Sequence, residues 1–138
     1  MSWIVLGFLS AAFAALVAVF GKLGLKNVDA TLATTLRVII MTIFFVIVSA
    51  ILHKYKLIST IDNKALGYIA LSGIAGALSW LCYFAALKMG PVGGVAALDR
   101  LSVAFIIVLA ALFLGEALTI KSVVGGLLIV AGAILFVI

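Results

Sequence analysis

Charged residues are scarce in this sequence. Only 9% of its 138 residues are Asp, Glu, Lys or Arg, whereas 68% are hydrophobic, and the mean hydropathy is +1.53. A water-soluble domain of this size cannot bury so large an apolar fraction, so the composition indicates an integral membrane protein. The length leaves room for one domain, residues 1–138, because nearly every residue is needed to cross a membrane or to turn.

Residue types that form common catalytic and metal sites are also few. Cys82 is the only cysteine and His53 the only histidine, so an internal disulfide and a cysteine-histidine metal site are both excluded. The sequence has no paired carboxylates, phosphate-binding loop or Gly-x-Ser-x-Gly motif. We therefore expect no enzymatic activity, no metal and no cofactor. The net charge of +5 is the balance of nine Lys and Arg against four Asp and Glu. The basic residues are spread between apolar segments, which is typical of topology signals in a membrane protein and not of a nucleic-acid binding surface.

Five apolar segments predict five transmembrane helices, since a hydrocarbon core about 30 Å thick needs roughly 20 helical residues. The five predicted helices are residues 1–21, residues 31–52, residues 65–87, a segment that starts at Pro91 and ends before Gly115, and residues 122–138. The first lacks a positive n-region, so we expect it to be retained and not removed as a signal peptide. Gly90 suits a left-handed helix end before Pro91. Asp62 or Asn63 and Thr119 are predicted helix caps.

Arg37, Asp99 and Arg100 must lie inside the predicted helices. Only 15 uncharged residues separate Arg37 from His53, and residues 101–115 supply only 15 more. At 1.5 Å per residue, Arg37 and Asp99 lie roughly 9 to 12 Å into helices that start at the same side of the membrane. Charges are costly in hydrocarbon and often mark a pathway or pocket. Three hypotheses stay open for them: snorkelling of Arg37 to the headgroups, a structural ion pair, and a substrate or proton site.

Ser79, Trp80 and Tyr83 form a second candidate group. Their spacings of three and four residues place them near one another on a helix. They can belong to a substrate site or to the belt of aromatic residues at the membrane interface. The charges of Arg37, Asp99 and Arg100 sum to a net positive charge of one, which suits an anionic or zwitterionic group.

Lysines do not define a single orientation in the membrane. With five helices, the side that holds the N-terminus has four of them and the opposite side three. The four are Lys54, Lys56, Lys64 and Lys121, and the three are Lys22, Lys26 and Lys88. Because cytoplasmic loops usually carry a clear excess of Lys and Arg, so small a bias permits either orientation or both.

Glycines are frequent in the last three predicted helices. Gly125 and Gly132 are seven residues apart and share a helix face. Small residues let membrane helices approach closely, so this face predicts a seam between two copies of the chain. The alternative is that the glycines pack the helices of one chain.

Several short motifs can be compared with known families. They are Ser-Trp-Leu-Cys-Tyr-Phe-Ala-Ala-Leu at 79–87, Gly90-Pro91, Asp99-Arg100 before Leu-Ser-Val, and Leu-Gly-Glu-Ala-Leu-Thr at 114–119. Together they resemble the EamA-like branch of the drug/metabolite transporter superfamily, in particular its short five-helix members, over essentially the whole chain. The resemblance implies an all-α membrane protein, a five-transmembrane-helix bundle that corresponds to one EamA-type repeat. Longer relatives join two such repeats of opposite orientation, with helices 1 to 4 of each lining a central cavity.

The comparison with related families argues against proton-driven drug efflux. Related small multidrug resistance proteins use an acid in their first helix for proton coupling, and residues 1–21 contain none. We expect a secondary transporter of a small metabolite, a multi-pass protein of a prokaryotic inner membrane that acts as a homodimer of inverted copies. Arg37, Ser79, Trp80, Tyr83, Asp99 and Arg100 are its candidate substrate residues. The alternatives are a non-transporting scaffold or accessory subunit and a lipid-carrier flippase.

Overall fold

A computed structural model describes residues 2–138, and its helices follow the predicted apolar segments closely. The α-helices are α1 (Trp3–Gly24), α2 (Ala30–Ile51), α3 (Asn63–Met89), α4 (Val92–Asp99), α5 (Ser102–Leu109) and α6 (Ile120–Leu135). A 3-10 helix, Lys54–Thr60, follows α2, and a π-helical turn, Ala110–Leu114, follows α5. No strand occurs within the described residues, which confirms the all-α class.

The predicted fourth helix is divided in two. The N–H groups of Arg100 and Leu101 donate to carbonyls three residues earlier, Ala97 and Leu98, at 3.1 and 3.0 Å. This bonding tightens the turn into 3-10 geometry while both residues keep right-handed helical backbone angles. The described chain therefore has six α-helices, and the expected count of five is not confirmed.

Four stretches are long and apolar enough to cross a membrane. They are α1, α2, α3 and the combined segment Val92–Leu114, which includes α4 and α5. The last helix, α6, has 16 residues, or about 24 Å at 1.5 Å per residue. It is shorter than a hydrocarbon core of about 30 Å.

Side chains of the predicted types cap the helices. Asp29 accepts hydrogen bonds from the N–H groups of Thr31 and Leu32 at the start of α2. Asp62 accepts one from Ala65 at the start of α3. Thr119 forms a reciprocal capping box with Ser122 at the start of α6. The predicted caps Asp62 and Thr119 are thus confirmed, and each satisfies backbone donors that the first helical turn leaves without a partner.

The prediction of a left-handed Gly90 is wrong. Positive φ angles within residues 2–138 occur at His53 (54°) and Gly115 (68°). Gly90 precedes Pro91, whose ring pushes the preceding residue toward extended backbone. Pro91 is itself extended and caps α4, so the first helical residue is Val92. The Gly90 carbonyl instead accepts a 2.9 Å hydrogen bond from Lys22 Nζ.

Contacts divide the chain into two compact units. One is Leu23–Lys88, which holds α2, the 3-10 helix and nearly all of α3. The other joins the residues up to Lys22 with Met89–Ile138. The membrane-crossing helices bury few of their side chains: the buried residue of α1 is Ala18, and that of α2 is Thr34. Apolar surface of this extent needs lipid or another membrane helix around it.

Glycines of the second unit fall into two groups. Gly126 is buried, and a Cβ placed on it would lie 3.0 Å from Ile107 Cδ1, so α5 and α6 approach closely there. Gly94 is also buried, with Pro91 Cγ 3.3 Å from such a Cβ. Gly125 and Gly132 face open space, with no atom within 4 Å of an added Cβ. Packing within one chain thus accounts for Gly126 and Gly94, and the seam at Gly125 and Gly132 stays a prediction.

Candidate functional site

The guanidinium of Arg37 lies over two aromatic rings of α3. Its Cζ is 3.8 Å from the centroid of the Trp80 ring and 4.1 Å from that of the Phe84 ring. Both distances are well inside the range of about 6 Å for cation–π contacts. Trp80 and Phe84 are four residues apart, so one helix face presents both rings. The planar arginine head group is suited to stacking of this kind.

The two helices bring these side chains to a common depth. Arg37 is seven residues after Ala30, the first residue of α2, whereas Phe84 and Trp80 are five and nine residues before Met89, the last of α3. At 1.5 Å per residue, Arg37 is about 10 Å along its helix and the rings about 8 and 14 Å from the end of theirs. The start of α2 and the end of α3 are joined by Lys88 Nζ, which donates a 2.8 Å hydrogen bond to the Val28 carbonyl.

Two nitrogen atoms of Arg37 are buried donors. Within residues 2–138, neither Nε nor Nη1 has a hydrogen-bond partner, although the side chain as a whole is only half-buried. Guanidinium N–H bonds lie in the plane of the group, so a ring stacked on its face leaves them unsatisfied. A buried donor without an acceptor costs about 1–3 kcal/mol, and more on a charged group. Arg37 is therefore a positively charged group with two donor atoms, Nε and Nη1, that make no hydrogen bond within residues 2–138.

The residues predicted beside Trp80, Ser79 and Tyr83, do not stack on Arg37 as Trp80 and Phe84 do. Tyr83 is half-buried and packs edge-on against Phe84, with ring centroids 5.6 Å apart. Ser79 is exposed. The cluster around Arg37 is thus formed by Trp80 and Phe84, with Tyr83 at its border.

The sequence interpretation missed Phe84, which belongs to this cluster, and Thr34, a buried residue one turn before Arg37 on α2. Phe84 is buried, and its position four residues after Trp80 is the signal that could have found it. Thr34 is 4% exposed and lies three residues before Arg37, on the same face of α2. Its hydroxyl donates a 2.7 Å hydrogen bond to the Ala30 carbonyl, one turn earlier. Its donor is thus used inside the helix.

Asp99 and Arg100 lie beside the break between α4 and α5. Asp99 is half-buried and Arg100 is exposed. They belong to the compact unit that contains Met89–Ile138, whereas Arg37 belongs to Leu23–Lys88. The pairing of Arg37 with Asp99 therefore stays a prediction.

Two apolar grooves elsewhere in the chain have no charged lining. One is formed by α5, α6 and Leu118, the other by the end of α2 and the 3-10 helix. Charged or strongly polar solutes gain little from such surfaces. Of the described residues, those around Arg37 therefore form the better candidate for a polar substrate.

Comparison with known proteins decides the family. Residues 1–138 match the EamA-like transporter family. The chain belongs to this family. A Sinorhizobium protein described as an uncharacterized transporter in the cobO 3' region is 40% identical over 134 residues, which are 97% of this chain and 95% of that protein. An uncharacterized protein of Methanocaldococcus jannaschii is 36% identical over 85 residues, 62% of each chain. No solved structure gives a significant match.

Membership in the EamA-like transporter family confirms the resemblance seen in the sequence motifs. Together with the four candidate membrane helices, it points to a membrane transporter and away from an enzyme. The substrate is a separate question.

Proposed function

We propose that the protein is a secondary transporter of a small polar metabolite. The observation that carries this proposal is Arg37, a half-buried charge inside an apolar helix, stacked on Trp80 and Phe84. Ionisable residues at such depth are expensive, and in transporters they mark the path of the substrate. If the residue served only to pack the helices, a hydrophobic side chain would cost less free energy at this position.

The proposed transporter is a homodimer of inverted copies. Transporters often combine two repeats of opposite orientation around a site near the middle of the membrane. This chain has the length of one repeat, so a second copy would supply the other. The near balance of lysines between the two sides and the exposed apolar surface of the helices favour this assembly.

In this proposal, each chain crosses the membrane five times. The fifth crossing is α6 with the residues that follow it to Ile138, and the first four crossings line a central cavity. Arg37, Trp80 and Tyr83 would face the substrate, with Asp99 and Arg100 contributed from the fourth crossing. We place the protein in the inner membrane of a prokaryotic cell, in agreement with the bacterial and archaeal sources of its relatives.

The test is transport by the purified protein in proteoliposomes that are offered a mixed pool of metabolites. Mass spectrometry of the vesicle contents would identify what enters. We expect accumulation of at least one small polar metabolite above protein-free vesicles, and its loss in Arg37→Gln. Lys56→Gln is the matched control, because Lys56 is an exposed residue of the 3-10 helix. Absence of any transported metabolite would favour the accessory-subunit alternative, and transport of a lipid carrier alone would favour the flippase.

A further inference from the structure

We propose that Arg37 binds an oxyanion, a carboxylate or a phosphate, at the edge of its guanidinium while Trp80 and Phe84 pack against the face. This inference rests on the proposed function, because it names the class of metabolite that would be carried: an organic anion or zwitterion. Its structural basis is the stacked, half-buried guanidinium of Arg37, whose Nε and Nη1 have no acceptor within residues 2–138.

The geometry of the contact favours an oxyanion over other ligands. The rings occupy positions about 4 Å from Cζ, so they cover the face of the guanidinium and leave the N–H bonds in its plane to a further group. Nε and Nη1 are both buried and do not share an edge, so an oxyanion that accepts two N–H bonds would pair Nη2 with one of them. Carboxylates and phosphates accept two parallel N–H bonds from arginine, and such charge-assisted pairs are among the strongest hydrogen bonds in proteins. A cationic ligand would be repelled by the guanidinium.

The acids of the same compact unit are already used elsewhere. Leu23–Lys88 contains two carboxylates, Asp29 and Asp62. Asp29 caps α2 through Thr31 and Leu32, and Asp62 caps α3 through Ala65. Neither accepts a hydrogen bond from Nε or Nη1 of Arg37. The positive charge of Arg37 is thus not balanced within its own unit.

The depth of Arg37 in the membrane bears on whether the oxyanion belongs to a lipid headgroup or to a soluble metabolite. Arg37 is about 10 Å along α2, and the middle of a hydrocarbon core about 30 Å thick lies at about 15 Å. Lipid phosphates lie outside the hydrocarbon core, so a headgroup would have to leave its normal depth to reach Arg37. A soluble metabolite in a water-filled cavity has no such requirement. We therefore favour the soluble source, and the experiment includes a lipid arm.

Trp80 provides the readout. The sequence has two tryptophans, and Trp3, at the start of α1, is 82% exposed. In a Trp3→Phe background the fluorescence of Trp80 reports on the group stacked against it. The probes are sodium acetate and inorganic phosphate, with acetamide and sodium chloride at matched ionic strength as controls. Titrations are made in maltoside micelles without phospholipid and in nanodiscs that contain phosphatidylglycerol.

We expect a saturable change of Trp80 emission with acetate or phosphate, and none with acetamide or chloride. Arg37→Gln should raise the apparent Kd at least about tenfold, because it removes a charge-assisted bidentate pair. Arg37→Lys keeps the charge but loses the planar fork, so it should weaken binding too. Lys56→Gln should bind as the parent does. If Arg37→Gln does not fold, as judged by helical circular dichroism and gel filtration, Arg37→Lys decides.

The outcomes separate the inference from the proposed function. A response to soluble anions in micelles assigns a soluble ligand, and a response to phosphatidylglycerol alone assigns a lipid headgroup. Emission that no oxyanion changes, or a response that the Arg37 variants retain in full, overturns the oxyanion site. Flux is measured separately, so binding without transport would overturn the proposed function alone, and transport without binding would overturn this inference alone.

Discussion

Lys88 Nζ donates a 2.8 Å hydrogen bond to the Val28 carbonyl, which joins the end of α3 to the residue before the cap of α2. Arg37 and Trp80 lie nine residues after Val28 and eight before Lys88, so the contact fixes the ends of the two helices that carry them. A lysine in the last turn of α3 is also favoured by the negative end of the helix dipole.

Asp29 should make the stability of the protein sensitive to acid. Its pKa lies below the ordinary 3.8 chiefly because its carboxylate accepts a hydrogen bond from the Leu32 N–H, with further contributions from Thr31 and the charge of Lys88. A carboxyl whose pKa is lowered by folding stabilises the protein fully above 3.8, and this stabilisation is lost as the pH falls through the lower, folded value. We expect the Tm to fall as the pH drops below 3.8, and to fall less in Asp29→Asn.

Thermal unfolding in detergent checks this prediction. Asparagine is also a good helix cap, so the variant should fold and its Tm near neutral pH should be only slightly lower. Lys56→Gln serves as the control for a surface change. Equal slopes of Tm against pH in the parent and Asp29→Asn would contradict it.

Hydrophobic length predicts most of the fold. The segments 31–52 and 65–87 differ from α2 and α3 by at most two residues at each end, because the membrane sets the number of apolar residues that each crossing needs. The break at Arg100 was not predicted, since a 3-10 turn within a helix depends on local packing and not on hydropathy. Gly90 was misjudged because the preference of glycine for a left-handed helix end was weighed above the constraint from Pro91.

The candidate site was predictable only in part. Counting uncharged residues placed Arg37 inside a helix, and α2 contains it. The identity of its neighbours depends on how α2 and α3 are rotated about their own axes. Successive side chains of a helix point in directions about 100° apart, so a small difference in rotation changes which residues meet. For this reason Trp80 was found among the candidates and Phe84 was not. The rotation of α6 matters in the same way: Gly126 faces Ile107, whereas the adjacent Gly125 does not.

Leucine at Gly126 and at Gly132 should have different effects. Gly126→Leu places bulk against Ile107, and we expect it to destabilise the fold by about 1–3 kcal/mol, as overpacked cores do. Gly132→Leu meets open space within the chain and should leave the fold intact while reducing dimer formation. Thermal unfolding and crosslinking in native membranes measure the two effects. An unchanged dimer fraction in Gly132→Leu would exclude α6 as the seam.

Orientation in the membrane should respond to small changes of charge. Two lysines added to the connection between α1 and α2 should shift the population toward molecules with that connection in the cytoplasm. Reporter fusions after residues 58 and 138 should fall on opposite sides in every molecule if three crossings separate them. A C-terminal reporter that stays on one side before and after the added lysines rules out dual topology.

A double-mutant cycle tests whether Arg37 and Asp99 interact. If the two charges are paired, either Arg37→Gln or Asp99→Asn alone leaves a charge without its partner and should lower the Tm, whereas the double variant should regain much of the loss. We expect a coupling free energy of about 0.5–3 kcal/mol between the two positions. Flux should remain absent in the double variant, since the substrate contact is gone. A stable double variant that transports at the parent rate would assign both charges to structure.

The most direct measurement of the central claim is the flux of anionic and cationic metabolites into proteoliposomes that contain the parent, Arg37→Lys or Lys56→Gln. If Arg37 binds an oxyanion on the substrate, the parent and Lys56→Gln carry anionic or zwitterionic solutes and exclude cationic ones. Folded Arg37→Lys should then lose at least about tenfold in kcat/KM, because lysine cannot reproduce the planar fork. Anion flux in Arg37→Lys equal to that of the parent, or preferred transport of cations by the parent, would contradict the account.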